Sequence, residues 1–460
     1  MFVDKAYLSV NDANNYFQEK LMEKLMKKVF FALVPIIVIA VLGAMTVACS
    51  KQEKLVSTEK TIVQFWGHIN EAWNNSHREA IARFNASQNA IEVTASFFPY
   101  DIFEAKSRTS FEAGSQRADV LEIWGGWGLD FVSMGALQAV PDYLVSGLIE
   151  DCYEPVLGAF KGDDGHLYGI PVEYNIEYGG MLVNKKRFED LGLKYPETWE
   201  EIIDTARKTT IYSQGIWTMR GFDFTTDDTL TTTFLSMILS LGGEYLVNGK
   251  FSFVTPEAEK ALVTLVDYVK IDKLTNLDSA TEALGPDIDG AHFIGMDEAM
   301  MVPRGPWAIA VIEEEYGKTY GVDFDYIKFP FYGTIRAFPA ETGWSMCVPK
   351  GNEAGEAAWR YVEFFFEHDN LMQHNISCAQ VPPRKSVVMD PNYALQMPYM
   401  APLLDVLEYG RFIGPFNTDV LKFALRSTFL SLCSDDGRFA SAREALAALE
   451  NQLNTGLGLF

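Results

Sequence analysis

At 460 residues the chain is about three times a typical domain length, so two domains or one large bilobed unit is expected. Hydrophobic residues at 48% and charged residues at 22% argue against extended disorder and against a multi-span membrane protein. The formal net charge of −24, with basic runs no longer than Lys185-Lys186-Arg187 and Arg384-Lys385 after residue 49, argues against a nucleic-acid partner, which needs clustered cations to neutralise phosphate.

Residues 27–48, KKVFFALVPIIVIAVLGAMTVA, set two lysines before an apolar run that closes on the small Ala48, next to Cys49. This is a secretory signal layout, although its core exceeds the usual length of about 7–15 residues and so also fits a spanning anchor. Val47-Ala48-Cys49 resembles a bacterial lipoprotein signal, with Thr46 where such signals prefer Leu. The resemblance implies cleavage before Cys49 and lipidation of its thiol. Residues 1–25 lie too far upstream of the basic pair to belong to the signal, so Met22 or Met26 is the expected start. Residues 49–58 are polar, without an apolar period, and suit a tether.

Ordered structure is expected from TIVQFWGH (61–68), a short apolar strand ending in Trp66, Gly67 and His68. A helix with Ala80, Ile81 and Phe84 on one face follows. IEVTASFF (91–98) alternates as a strand, residues 101–114 suit a helix, and ADVLEIW (118–124) is a third strand running into Gly125-Gly126-Trp127-Gly128. Such β-α-β-α-β alternation predicts a parallel sheet flanked by helices, with ligands collecting at the carboxyl ends of its strands. Further on, short strands are expected near Pro171 and before Asn184. Thr198 with Glu201 three residues on has capping-box spacing, and Thr255-Pro256 opens another helix. Helices are also expected over 228–241, 353–367 and 437–452.

Several blocks, in this order, resemble the extracellular solute-binding proteins of ATP-binding cassette importers, in the sugar-binding family that includes maltose-binding proteins. They are FW (65–66), ADVLEIW with MGALQAVPDYL, DGHLYGIP, LVNKKRFEDLGLKYPETWEEI, GMDEAMMVPRGPWAI, ETGWSMCVPKGNEAGEAAWRYVEFF and VPPRKS, spread over residues 59–450. The resemblance implies a two-lobed α/β fold of the periplasmic-binding-protein kind, hinge strands between the lobes and a ligand cleft at the hinge. By that analogy lobe one is 59–172 plus 346–386 and lobe two is 173–345 plus 387–460. It also implies an extracytoplasmic, membrane-anchored monomer that hands a small-molecule solute, a mono- or oligosaccharide, to permease subunits, with no cofactor and no bound metal.

A saccharide site needs aromatic faces for the C–H side of a sugar ring and carboxylates, amides or Arg for its hydroxyls. Trp66 and His68 at the end of the first strand, and Trp124 and Trp127 around the glycines after the third, meet that demand, the glycines being read as letting backbone approach a ligand. Glu122 is a carboxylate inside an apolar strand and needs a partner, whether a ligand hydroxyl, an Arg or backbone. Glu173 and Tyr174, with Glu177 beside them, fall in the first expected crossing. Arg304 and Trp307 stand in PRGPW, which resembles the family's GPW block, and Trp344 stands in TGWS. Asp223 and Asp228 suit a solvated loop.

The alternative classes are a secreted glycoside hydrolase and a surface adhesin or sensor on the same fold. With 58 acidic residues after Cys49, the paired carboxylates of a hydrolase are easy to find by chance. The six histidines show no HExxH, and no GxSxG, phosphate loop or dinucleotide fingerprint is present. Cys49, Cys152, Cys347, Cys378 and Cys433 have no metal-ligand spacing; with Cys49 modified, the other four suit sparse buried thiols, with pairing left open.

Overall fold

The computed structural model describes residues 60–113, 118–283, 290–434 and 437–456. The signal segment, Cys49 and the tether lie outside the described residues, among which no helix is long and apolar enough to cross a membrane.

The first strand, β1 (Thr61–His68), buries Val63, Phe65 and everything from Trp66 to His68. Asn70 then caps α1 (Glu71–Ser87), its side chain accepting from the Trp73 N–H. Trp73, His77, Ala80, Ile81 and Phe84 recur at helical spacing and form the buried face of α1. There follow β2 (Ile91–Phe98), α2 (Tyr100–Ala113), the fully buried β3 (Val120–Trp124) and α3 (Gly125–Ser133). β1 runs parallel to β2, Thr61 opposite Ile91 through His68 opposite Phe98, and parallel to β3, as the β-α-β-α-β pattern requires. Two short strands come next, β4 (Ile170–Pro171) and β5 (Gly180–Val183).

α4 (Trp199–Thr209) carries the expected capping box between Thr198 and Glu201, and α5 (Asp227–Ser240) is buried along almost its whole length. α6 (Pro256–Lys270) starts at the Thr255 cap. Then come β6 (Met301–Pro303), α7 (Trp307–Tyr316), β7 (Asp325–Lys328), β8 (Phe338–Ala340) and β9 (Trp344–Cys347). The chain closes with α8 (Glu356–Phe366), α9 (His368–Ser377), β10 (Gly410–Phe412), α10 (Thr418–Cys433) and α11 (Ala442–Gly456).

Two sheets organise these elements. The larger has the order β2-β1-β3-β9-β4, and the smaller β6-β5-β7. β9 returns from far along the chain to lie antiparallel against β3, placing Trp344 opposite Trp124 and Met346 opposite Glu122. The chain therefore leaves the larger sheet after Pro171, enters the smaller at Gly180 and rejoins the larger at Trp344. Residues 172–179 form a passage from the larger sheet to the smaller.

One local reading is corrected. Gly125, Gly126 and Gly128 do not open a loop to a ligand; they form the first turn of α3, where neighbouring elements press on the backbone. A Cβ on Gly126 would lie 2.4 Å from Trp124 Nε1 and 2.5 Å from Thr418 Oγ1, and one on Gly128 would lie 2.6 Å from the Ala159 carbonyl. Cys152, Cys347, Cys378 and Cys433 are free thiols, and burial pushes Cys152 up to about 12.

Candidate functional site

The strand ends and the passages between the sheets surround a cavity of about 410 Å³. Its wall from the larger sheet is His68, Asn70, Trp73, Tyr100, Trp124 and Trp344. The opposing wall brings Asp228, Arg304, Trp307 and Lys422, while Glu173, Asn175, Glu177 and Gln380 come from the chain near the passages.

The aromatic side of the site is a continuous cluster of rings around Trp344. The His68 ring lies flat on Trp344 at 4.0 Å with 4° between planes, and Trp124, Trp127 and Tyr100 surround the same indole at 5.6, 5.8 and 6.1 Å. Trp73, Trp124 and Trp344 are nearly covered by these contacts. Tyr100, 44% exposed, and the half-buried Trp307 keep the most ring surface.

Beneath the aromatics lies Glu122, with no exposed surface. Its carboxylate accepts from His77 Nε2 at 2.8 Å, from His68 Nδ1 at 2.9 Å and from the His68 backbone N–H at 3.4 Å. Burial disfavours its charge, but the two imidazoles outweigh burial and hold the carboxyl well below the usual carboxylate range. The partner demanded by a charge in an apolar strand is thus a histidine pair, not a ligand. His77 comes from α1, where Phe65 and Phe365 enclose its ring at 4.7 and 5.2 Å.

The opposing wall is ionic. Arg304 reaches Asp228 at 3.1 Å and Glu177 at 3.5 Å, and its guanidinium lies 4.5 Å over the Trp307 ring. Glu177 also accepts from the Trp307 indole N–H at 2.7 Å and from the Gly305 N–H at 3.1 Å, which fixes the first turn of α7. Lys422, on α10, is buried and bridges Asp228 and Glu341, at 2.9 Å each. For Asp228, burial pushes upward but Lys422 and Arg304 prevail, leaving it at about 2. For Lys422, burial pushes downward and Asp228, Glu341 and Asp419 prevail, raising it.

Of the residues singled out in the sequence, His68, Trp124, Glu173, Glu177, Arg304, Trp307 and Trp344 line this cavity, and Trp66, Glu122, Trp127 and Tyr174 do not. Trp66 packs edge-on against Phe98 beneath Lys106, whose ammonium is 4.7 Å from its ring. Trp127 stands behind Trp344 and donates to Asp419 Oδ2 at 2.8 Å. Tyr174 is buried, its hydroxyl donating to the Leu407 carbonyl. Asp223 is not in a solvated loop: it is 1% exposed and accepts from Thr225 and Ser279. Asp228 likewise belongs to the cavity.

Sequence reasoning missed Asn70, Trp73, Tyr100, Asn175, Asp228, Gln380 and Lys422. The strand-end rule that selected Trp124 would also have found Tyr100, which follows β2 by two residues. Nothing local marks Lys422, a cation on the buried face of α10. Among the described residues no group of three or more His, Cys, Asp or Glu could hold a metal ion.

A family model described as bacterial extracellular solute-binding protein matches residues 74–372. A multiple sugar-binding protein of Streptococcus mutans is 26% identical over 166 residues, 32% of this chain and 36% of that protein, so the match spans about a third of that relative. Among solved structures, T. maritima MalE3 with bound maltose superimposes with a TM-score of 0.68 at 19% identity, covering 85% of this chain and 98% of the other. An ABC substrate-binding protein of Listeria monocytogenes in complex with cycloalternan gives 0.71 at 18% identity, covering 86% and 99%. The maltotriose-binding protein of Thermus thermophilus, solved with maltotriose, gives 0.67 at 16%, covering 86% and 99%. These structures share the two-lobed fold.

Proposed function

The chain belongs to the bacterial extracellular solute-binding protein family, and from that membership we propose that it captures a carbohydrate in the cleft and delivers it to the permease of an ATP-binding cassette importer. The observation that carries this reading is the cavity of about 410 Å³, whose aromatic wall faces a wall of fixed polar groups. A sugar presents the same two chemistries, an apolar C–H face and a rim of hydroxyls. The similar proteins solved with maltose, maltotriose and cycloalternan support it.

Tyr100 and Trp307 offer the ring surface for stacking, and Asn70, Asn175, Gln380, Arg304 and Asp228 supply donors and acceptors. Glu177 and Asp228 already hold Arg304, Lys422, Gly305 and Trp307, which suits binding better than acid-base hydrolysis. We assign residues 59–172 and 346–386 to one lobe and 173–345 and 387–460 to the other. The membership of β1–β4 in the larger sheet and of β5–β7 in the smaller supports that division, with β9 straddling the return. Ligand joins the two walls, so closure is favoured by contacts made only when both are engaged. A lipidated Cys49 would tether a monomer to the membrane outside the cytoplasm.

A thermal-shift screen of mono- and oligosaccharides tests the reading, with product analysis on the same mixtures. At least one saccharide should raise Tm without turnover, and Trp307→Ala should weaken that ligand roughly 5- to 150-fold, at a cost of about 1–3 kcal/mol in lost stacking and hydrogen bonding. Hydrolysis of the saccharide, or a panel in which none shifts Tm, would overturn it.

A further inference from the structure

Glu173 differs from the other acids of the cleft. It is 1% exposed, lies against the cavity, and uses one oxygen, Oε1, to accept from the Trp344 backbone N–H at 2.9 Å. Its other oxygen, Oε2, is buried without a hydrogen-bond partner among the described residues. Among the described residues no ion pair reaches it, and the cations around the cavity hold other acids. Arg304 holds Glu177 and Asp228, Lys422 holds Asp228, Glu341 and Asp419, and His68 and His77 hold Glu122.

The charges that act on Glu173 are those of acids: Glu122 on β3, Glu177 on the same passage and Glu341 just before β9, and the buried Cys378 at the end of α9 is coupled to it in the same sense. The position is also fixed sterically. Gly343, at φ +77°, packs so tightly that a Cβ there would lie 2.8 Å from Glu173 Cγ and Oε1. An ionised carboxylate here would be desolvated, unpaired and surrounded by like charge, three conditions that all favour the protonated form.

We propose that Glu173 stands in the cleft as a neutral carboxylic acid, and that its Oε2 hydroxyl is a donor reserved for an acceptor oxygen of the ligand. Every other acid of the cavity presents acceptors only, so this group adds a recognition chemistry the others lack. It suits a ring or bridging ether oxygen of a neutral saccharide, which accepts but cannot donate. The ligand chemistry rests on the carbohydrate reading above; the protonation state does not. Burial, reinforced by Glu122, Glu177 and Glu341 against the single Trp344 N–H, raises Glu173 from 4.5 to about 8. Its contribution to stability is therefore full below pH 4.5 and is lost as pH rises toward 8, where the unfolded chain ionises and the folded one does not.

The first test needs no ligand. Melting curves of the wild type and Glu173→Gln from pH 4.5 to 8 should diverge, the amide variant gaining several degrees over the wild type as pH rises. Parallel profiles, or a gap that narrows, would show an ionised Glu173 and overturn the proposal. Should the variant fold poorly, infrared spectra of the wild type decide the same question through a buried protonated-carboxyl band that persists at neutral pH; its absence overturns the proposal. With maltose as probe, wild-type affinity should fall above pH 8 while Glu173→Gln, which keeps an N–H donor, stays flat; pH-independent wild-type binding would contradict the donor role. No maltose binding at all would count against the saccharide reading, and the melts would still decide the state of Glu173.

Discussion

Two buried carboxyls that flank β9, Glu122 opposite Met346 and Glu173 at the Trp344 N–H, are driven in opposite directions by their partners. Glu122 and Glu173 are 0% and 1% exposed, so burial opposes the charge of both. Two imidazoles and a backbone N–H hold Glu122 as an anion, whereas Glu173 receives a single backbone N–H. Gly67 is part of the first arrangement: a Cβ there would lie 2.9 Å from Glu122 Oε2, so only glycine lets β1 approach the carboxylate. Glu122→Gln keeps the shape and removes the charge, leaving His68 and His77 without their anion. A loss of about 1.5–3 kcal/mol at pH 7, typical of a hydrogen bond to a charged group, is expected in urea unfolding. Because the folded-state value is depressed, the Glu122 contribution is complete above pH 4.5 and fades as acid protonates it. The difference between wild type and variant should accordingly shrink below pH 4.5, and a difference that is constant with pH would exclude the ionic account.

At the scale of elements, the first turn of α3 meets the start of α10. Gly126 sits where Trp124 Nε1 and Thr418 Oγ1 converge, and Asn417 Nδ2 donates to Asp130 Oδ2 at 3.0 Å alongside. Gly126→Ala forces one of these neighbours to move, an overpacking that costs about 1–3 kcal/mol and should appear as a lower Tm. The variant should also bind its saccharide more weakly, since Trp124 and Lys422 flank the displaced contact and both line the cavity. Unchanged melting and binding would mean that α10 yields without cost. This contact explains what the sequence could and could not disclose. β1 and β2 were legible to the residue because alternation and burial are local, and the Thr198 and Thr255 caps because their partners lie three residues away. The glycine run was misread because much of its constraint comes from distant chain, Thr418 being 292 positions beyond Gly126 and Ala159 31 positions beyond Gly128. The same division holds in the site: His68 and Trp124 were legible as residues at the ends of strands, and Trp344 through its TGWS block. Lys422 and Gln380 reach it only through tertiary packing, and the His77 partner of Glu122 comes from a neighbouring helix.

For the whole molecule, the contacts that span the cleft decide how firmly it closes. Asp419, in the first turn of α10, accepts from the Trp127 indole N–H at 2.8 Å and from the Tyr100 hydroxyl at 3.3 Å. Both donors belong to elements that follow strands of the larger sheet, whereas α10 packs on α5, α6 and α11. In the proposed lobe assignment these hydrogen bonds therefore exist only when the lobes are together. Apparent affinity is the intrinsic affinity of the closed form weighted by the fraction of molecules that can adopt it. Removing closure contacts lowers that fraction without touching an atom that holds the ligand. Tyr100 does line the cavity, so the clean variant is on the other side of the bond, Asp419→Ala. The Asp419 side chain is 38% exposed, and solvent screening reduces the worth of its two hydrogen bonds to about 1 kcal/mol in all. That corresponds to roughly a fivefold weaker Kd, expressed as faster dissociation. Small-angle scattering of the ligand-free variant should show a larger radius of gyration than the wild type, and saturating saccharide should bring the two together. Equal radii without ligand, or an unchanged Kd, would show that closure is held by contacts other than those of Asp419.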